Sequence, residues 1–295
     1  MPSIKPIPIP QEDHATILEA LSTKCHSTGT LARFRFPIGP STAPPPLPSP
    51  PAHPNGQGQP QNQARGPKRH AALAIDCEMV GIDPKNTSYL GQVVAVDMLT
   101  GKTVLDICVQ PPVTVRNWRS TKSGLSPAVF REYKKRGRLV QGVPGAQRAL
   151  YALMDGETIL VGHALENDIR ALGIVHGRVV DTQILTREIV AQAAGGLMLP
   201  CRTWGLKTCA EEILGRGIQQ GREGHGCEED TRATRDLALA CVRDADFNPH
   251  GLSVREWAAI EAQCEVNFPA KQWGGYHSPL WNGDGQAGTV DYDWL

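Results

Sequence analysis

The chain has 295 residues, enough for one substantial core with extensions at either end, and its 30 lysines and arginines equal its 30 aspartates and glutamates. Bulk charge therefore announces no polyanion partner, although the balance is uneven: residues 1–70 hold seven basic and three acidic side chains, leaving 23 basic and 27 acidic beyond them. Eight cysteines without a C-x-x-C pair or a preceding signal peptide exclude a disulfide frame or zinc ribbon, and no apolar run nears the roughly 18 residues of a membrane span, so a soluble intracellular protein with no membrane partner is expected.

Fifteen of the 24 prolines fall in residues 1–70, densest over 41–60, and such a composition predicts a flexible linker. Upstream, Ile17, Leu18, Leu21 and Cys25 recur at helical spacing and predict one short helix over 11–24. Residues 1–69 thus read as an N-terminal extension dispensable for chemistry. Nothing in its sequence names a protein partner.

From residue 71 the pattern turns to apolar runs broken by glycine and polar turns. Strands are predicted over 71–77, 92–97, 103–109, 158–161 and 178–181, with a hairpin turn at 98–102. Helices are predicted over 127–135, 144–154, 165–172, 183–194, 204–214 and 229–244. A meander followed by alternating helices and strands implies an α/β domain over 70–247. Ser253 and Glu256 then form a capping-box pattern opening a last helix to about residue 264, and 248–295 read as a C-terminal helix and tail.

Three acidic features stand out. In the run AALAIDCEMV, Asp76 and Glu78 alternate with Ile75, Cys77 and Met79, so a strand puts both carboxylates on one face, about 7 Å apart. They are either a charged site or the fraying end of a strand. In LVGHALENDIRAL, Asp168 falls within the stripe Leu165, Ile169, Leu172 and points inward, whereas Glu166 and Arg170 fall on a solvated face. In HGCEEDTRATRDL, Asp230 begins an inward stripe continued by Ala233, Thr234 and Leu237, and His225 precedes it between Gly224 and Gly226. Zinc on His225 and Cys227 competes as a reading, but no second close nitrogen or sulfur pair is present. Four carboxylates suit magnesium or manganese, which would turn an acidic pocket into a phosphate-binding one.

The set Asp76-x-Glu78, Asp168 and His225-x₄-Asp230, in this order, resembles the DEDDh exonucleases of the ribonuclease H-like fold. The segments AIDCEMVG from Ala74 and VGHALEND from Val161 look like the Rex-type RNA exonucleases, and Arg119, Ser123, Gly124 and Asp181-Thr182 align as well. The similarity spans about residues 71–244, and departs from the family at Thr121, Gly226 and Cys227. It implies a mixed five-stranded sheet flanked by helices and a two-metal-ion 3′→5′ exoribonuclease releasing nucleoside 5′-monophosphates. Asp76, Glu78, Asp168 and Asp230 would bind two Mg²⁺ or Mn²⁺ ions and His225 would be the general base. Met79 and His163 would lie on the substrate side. The implied partner is a single-stranded RNA 3′ end, with DNA or a non-catalytic RNA-binding role as alternatives, and the implied address is the nucleus or nucleolus, with the cytoplasm as an alternative. A basic run, Arg131, Lys134, Lys135, Arg136 and Arg138, reads as a solvated helix end, a phosphate-tracking patch or an import signal.

Overall fold

The computed structural model describes residues 6–44, 69–196, 202–220, 226–243 and 253–267, with side chains to 263 in the last segment. Seven strands form one mixed sheet: β1 (Ala72–Ile82), β2 (Thr87–Asp97), β3 (Thr103–Gln110), β4 (Val115–Asn117), β5 (Leu139–Gln141), β6 (Ile159–Gly162) and β7 (Val179–Asp181). The order is β5-β3-β2-β1-β6-β7, with β4 paired separately to β1. β1, β2 and β3 are an antiparallel meander, while β5, β6 and β7 lie parallel to their neighbours. The α/β class and ribonuclease H-like mixed sheet hold. The expected five strands become seven because β4 and β5 are three-residue strands, too short to show a period of two.

Ten helices surround the sheet among the described residues: α1 (His14–Thr23), α2 (Thr28–Arg33), α3 (Ser120–Ser123), α4 (Pro127–Lys135), α5 (Gly142–Tyr151), α6 (Glu166–Leu172), α7 (Thr182–Ala193), α8 (Leu206–Glu212), α9 (Cys227–Val242) and α10 (Val254–Asn267). Strand alternation divides the core between the two sheet faces. Leu73, Ile75 and Cys77 pack with Ala146 and Leu150 of α5 and Ile169 and Leu172 of α6. Ala72 and Ala74 pack with Cys227, Ala238 and Leu239 of α9 and with Ile17 and Leu21 of α1. Trp204 and Trp257 meet edge to face at 5.2 Å between ring centroids, joining α10 to a third cluster with α8 and α9. The capping box opening α10 is present, with Ser253 N donating to Glu256 Oε2 at 2.9 Å and Glu256 N to Ser253 Oγ at 3.2 Å.

The N-terminal segment departs from its expectation as a linker with one helix. The predicted helix is there as α1, but α2 follows it, and residues 6–44 contribute Ile17, Leu21, Leu31 and Phe36 to the buried core. Its first described residues are tied to α9: Ile7 N donates to Asp236 Oδ1 at 3.3 Å and Arg235 Nη1 donates to Ile7 O at 3.0 Å. A boundary at residue 70 would therefore divide one core. Most of the proline-rich stretch, residues 45–68, lies outside the described residues. No described helix is long and apolar enough to cross a membrane, and none of the six described cysteines forms a disulfide.

The hairpin turn between β2 and β3 is organised by Asp97, whose Oδ1 accepts from Thr100 N and Oγ1, both at 2.7 Å, while its Oδ2 lies 2.6 Å from His70 Nδ1. Burial pushes the Asp97 carboxyl up, but these hydrogen bonds outweigh it and hold it at about 2.

Two consequences can be measured by melting. Phe36→Ala should cost roughly 3–5 kcal/mol, as for a large side chain lost from a packed core, whereas a dispensable extension would show no cost. Asp97→Asn should cost roughly 1–3 kcal/mol at neutral pH. Because the Asp97 pKa is depressed, its contribution is complete above the unfolded value near 4 and fades as pH falls towards 2. The gap between wild type and Asp97→Asn should close over that window, and a pH-independent gap would refute the assignment.

Candidate active site

β1 meets β6 only at Ala72, Leu73 and Ala74, and β4 only at Gly81 and Ile82. Between these pairings, residues 75–80 have no described strand neighbour on that side. Asp76 and Glu78 lie in this stretch, within the strand and not at its end, and pair across the other side with Val94 and Gln92 of β2. They share the face that carries α9.

α9 begins over them. Cys227 Sγ donates to the main-chain oxygen of Asp76 at 3.4 Å. Candidate ligand atoms of Asp76, Glu78 and Cys227 lie within 4.8 Å of one another. Asp230, one turn along, is 5% exposed, and its Oδ2 accepts from Gln219 Nε2 at 2.8 Å. Glu228, Glu229 and Asp230 occupy the first helical turn, where the exposed N–H groups favour negative charge.

Asp168 comes from the opposite side of the opening, in the first turn of α6. Its approach needs Gly162 at the end of β6, since a Cβ there would lie 2.7 Å from Leu165 Cβ and force α6 away. Ala164 takes a left-handed φ of 55° in the intervening turn. Asp181 braces that turn: its carboxylate accepts from Leu165 N at 2.6 Å and Ala164 N at 3.4 Å while capping α7 through Gln183 N at 2.8 Å and Ile184 N at 3.2 Å.

The four acids act on one another. Burial, followed by the charges of Asp76 and Asp230, pushes Glu78 up to about 9. Burial raises Asp76 to about 7 against hydrogen bonds from Cys227 and Cys77, and burial with the Asp76 charge raises Asp230 to about 8. Asp168 is pushed well above the carboxylate range by burial and then by Asp76, Glu166, Asp181 and Glu78. Carboxylate oxygens gathered this closely fit a hard divalent cation, and the buried Cys227 thiol beside them is the feature a pure carboxylate site would lack.

The structure therefore brings Asp76, Glu78, Asp168 and Asp230 to one opening. His225 lies outside the described residues, so neither the base assignment nor the zinc pairing with Cys227 is placed. Met79 follows Glu78 at a break in register with β2, its side chain partly buried against the core. His163 follows β6, with Nδ1 2.9 Å from Thr182 Oγ1, and burial pushes its imidazole down to about 4. Glu166, expected on a solvated face, is half-buried, and burial followed by the Asp181 charge raises it to about 7. The sequence reading passed over Gln219, weighed Cys227 as a ligand only in a zinc pair with His225, and noted Asp181 only as a position that aligns with the family, not as a brace. Only Asp181 carried a local signal, as the cap preceding a predicted helix.

A mixed sheet flanked by helices, with acids brought together from β1, α6 and α9, is similar in layout to the ribonuclease H-like exonuclease fold. No family model matches the chain. Among curated proteins it is similar to RNA exonuclease 3 of Candida albicans, 34% identical over 173 residues, covering 58% of this chain and 38% of that one. It is also similar to RNA exonuclease 4 of Candida glabrata, 33% identical over 178 residues (59% and 61% covered), and to human RNA exonuclease 4, 33% identical over 175 residues (59% and 37%). The chain thus spans less than two thirds of the length of these relatives. A solved Saccharomyces cerevisiae Pan2 module in complex with AAGGAA RNA shares the fold, with a TM-score of 0.54 at 20% identity, over 70% of this chain and 34% of that one.

If the cluster is held together against its own repulsion, Glu78→Gln should raise the melting temperature in EDTA by a few degrees while removing the stabilisation that added Mn²⁺ gives the wild type. A mutant less stable in EDTA, or one that Mn²⁺ still stabilises fully, would show that Glu78 is not a repelled ligand.

Proposed function

We propose that the domain is a 3′→5′ exoribonuclease that hydrolyses phosphodiester bonds at single-stranded RNA 3′ ends and releases nucleoside 5′-monophosphates. The observation that carries this reading is the convergence of Asp76, Glu78, Asp168 and Asp230 on the open stretch of β1. The relatives' names supply the substrate class. Divalent cations, two Mg²⁺ or Mn²⁺ in this reading, would supply Lewis-acid charge at the scissile phosphate.

The remaining work falls to side chains. The four carboxylates would hold the cations from rigid supports, one strand and the first turns of two helices. Met79 and the open backbone beside it are assigned to contact the terminal nucleotide, and His163 shapes the neighbouring turn through Thr182. His225 is assigned the proton of the attacking water because imidazole, with an unperturbed pKa of about 6.5, can accept it near neutral pH. His163 is a poor candidate for that task, since burial already holds it down at about 4. Arg131, Lys134, Lys135, Arg136 and Arg138 are all exposed on and after α4, although Arg136 and Arg138 pair with Glu132 and Asp106, and in this reading the surface helps to track phosphates.

Purified protein should shorten an RNA oligomer from its 3′ end with Mg²⁺ or Mn²⁺ and stop in EDTA, and should prefer it to DNA of identical sequence. Asp76→Asn should abolish turnover with the fold intact. His225→Ala should slow the chemical step by roughly 10²–10⁴ while calorimetric Mn²⁺ binding stays near wild type. Full activity in EDTA would overturn the reading, a preference for DNA would reassign the substrate, and a near-wild-type His225→Ala would reassign the base.

A further inference from the structure

β7 is the last described strand of the sheet, so its outer edge presents backbone groups that need partners. Leu160 N of β6 donates to Arg178 O, which directs the alternate groups, Val179 O and Asp181 N, outwards. Both are met by one residue of the N-terminal segment. His26 N donates to Val179 O at 2.8 Å, and Asp181 N donates to His26 Nε2 at 3.0 Å. His26 is 7% exposed and burial pushes its imidazole down, which favours the neutral ring; its Nε2 also lies 3.2 Å from Asp181 O, so both main-chain groups of Asp181 meet this nitrogen, and Nδ1 lies 3.9 Å from Glu188 Oε1. Backbone and side chain of this one histidine replace a neighbouring strand.

The residue so fixed is the brace of the active-site turn. Asp181 holds Ala164 and Leu165, and α6 starts there with Asp168 in its first turn. The same N-terminal segment grips α6 from its other side: Leu31 and Phe36 share a cluster with Ile169 and Leu172, and Arg170 donates to the main-chain oxygen of Arg35. Further on, Thr42 N donates to Val175 O at 2.9 Å, and Thr42 Oγ1 lies 2.7 Å from Tyr151 Oη.

We propose that His26 is a positioning residue for Asp168, acting through Asp181, so that the N-terminal segment is part of the metal-holding scaffold. The inference rests on the proposed reading of Asp168 as a cation ligand, but its mechanical half does not.

The test uses the full chain with His26→Leu, which fills the space without an acceptor, and His26→Gln, which keeps one. Hydrogen exchange of the 164–168 amides should accelerate about tenfold in His26→Leu and return to within about threefold of wild type in His26→Gln. Calorimetric Mn²⁺ affinity should follow the same order, weakening about tenfold and then recovering. Leu21→Ala, which removes core contacts on the other sheet face, should leave exchange at 164–168 no more affected than that of β1 and β2. If His26→Leu does not fold, His26→Gln alone decides: exchange at 164–168 within threefold of wild type supports the proposal, and exchange raised tenfold overturns it. Equal behaviour of the Leu and Gln variants, or acceleration spread evenly over the sheet, also overturns it. If wild type binds no Mn²⁺, the functional reading fails, while the exchange comparison still decides the role of His26.

Discussion

Repulsion among four carboxylates is the constraint around which this domain is built. Two unit charges about 5 Å apart at an effective dielectric near 20 repel by roughly 3 kcal/mol, and here the Asp76 charge is among the causes that raise Glu78, Asp168 and Asp230. Flexible supports would let such groups swing into water. Asp76 and Glu78 are instead fixed in the middle of an eleven-residue strand, and Asp168 and Asp230 in the first turns of helices packed on it. The open stretch of β1 beside them comes from β6 ending after four residues and β4 pairing with β1 only at Gly81 and Ile82.

The long regular elements were legible because periodicity and punctuation agree along their length. The residues of α4 match their expectation at both ends, since Ser126 caps it, Pro127 opens it and its run of basic residues closes it. β1 reaches Ile82, beyond the predicted residue 77, because its later pairings are with Tyr89, Ser88 and Thr87 of β2 and with β4, which no local pattern encodes. β4, β5 and α3 were invisible because three or four residues carry no readable period. Inward placement of Asp168 and Asp230 followed from the helical stripes. The half-burial of Glu166 did not, because it depends on what packs beside the turn. Leu31 and Phe36 show the limit at the N-terminus: a short helix and an isolated aromatic residue carry no period, yet both enter the main core.

The extent of sequence similarity and the extent of the folded unit therefore differ. The relatives align over 55–62% of the chain, whereas residues 6–44 supply core side chains and anchor to a buried charge network. Arg235 is wholly buried, donates to Met98 O and Ile7 O, and pairs with Asp236 at 2.6 Å, which also receives Arg216 at 2.8 Å. Burying such a network is costly unless most of its polar atoms find partners, and the first described residues of the chain supply several of them. Removing this segment would expose apolar surface and also strip partners from buried charges, so its low-complexity neighbour is a poor guide to its role.

Asp181 shows why composition and motif cannot by themselves separate ligands from supports. It is as buried as the others and burial raises its carboxyl to about 6, so charge and environment alone would enrol it as a fifth ligand. Its hydrogen bonds decide otherwise. Oδ1 is engaged by Ala164 N, Gln183 N and Ile184 N and Oδ2 by Leu165 N, so a cation would have to displace backbone amides that fix two helix starts. Those four bonds lower its pKa against burial, whereas the Asp168 carboxyl is pushed up by burial and by the four acids around it. A carboxylate held by backbone amides is a brace, and one left facing other carboxylates is available to a cation. By that criterion the acids of β1, α6 and α9 divide from Asp181 on physical grounds that the spacing of residues along the chain does not contain.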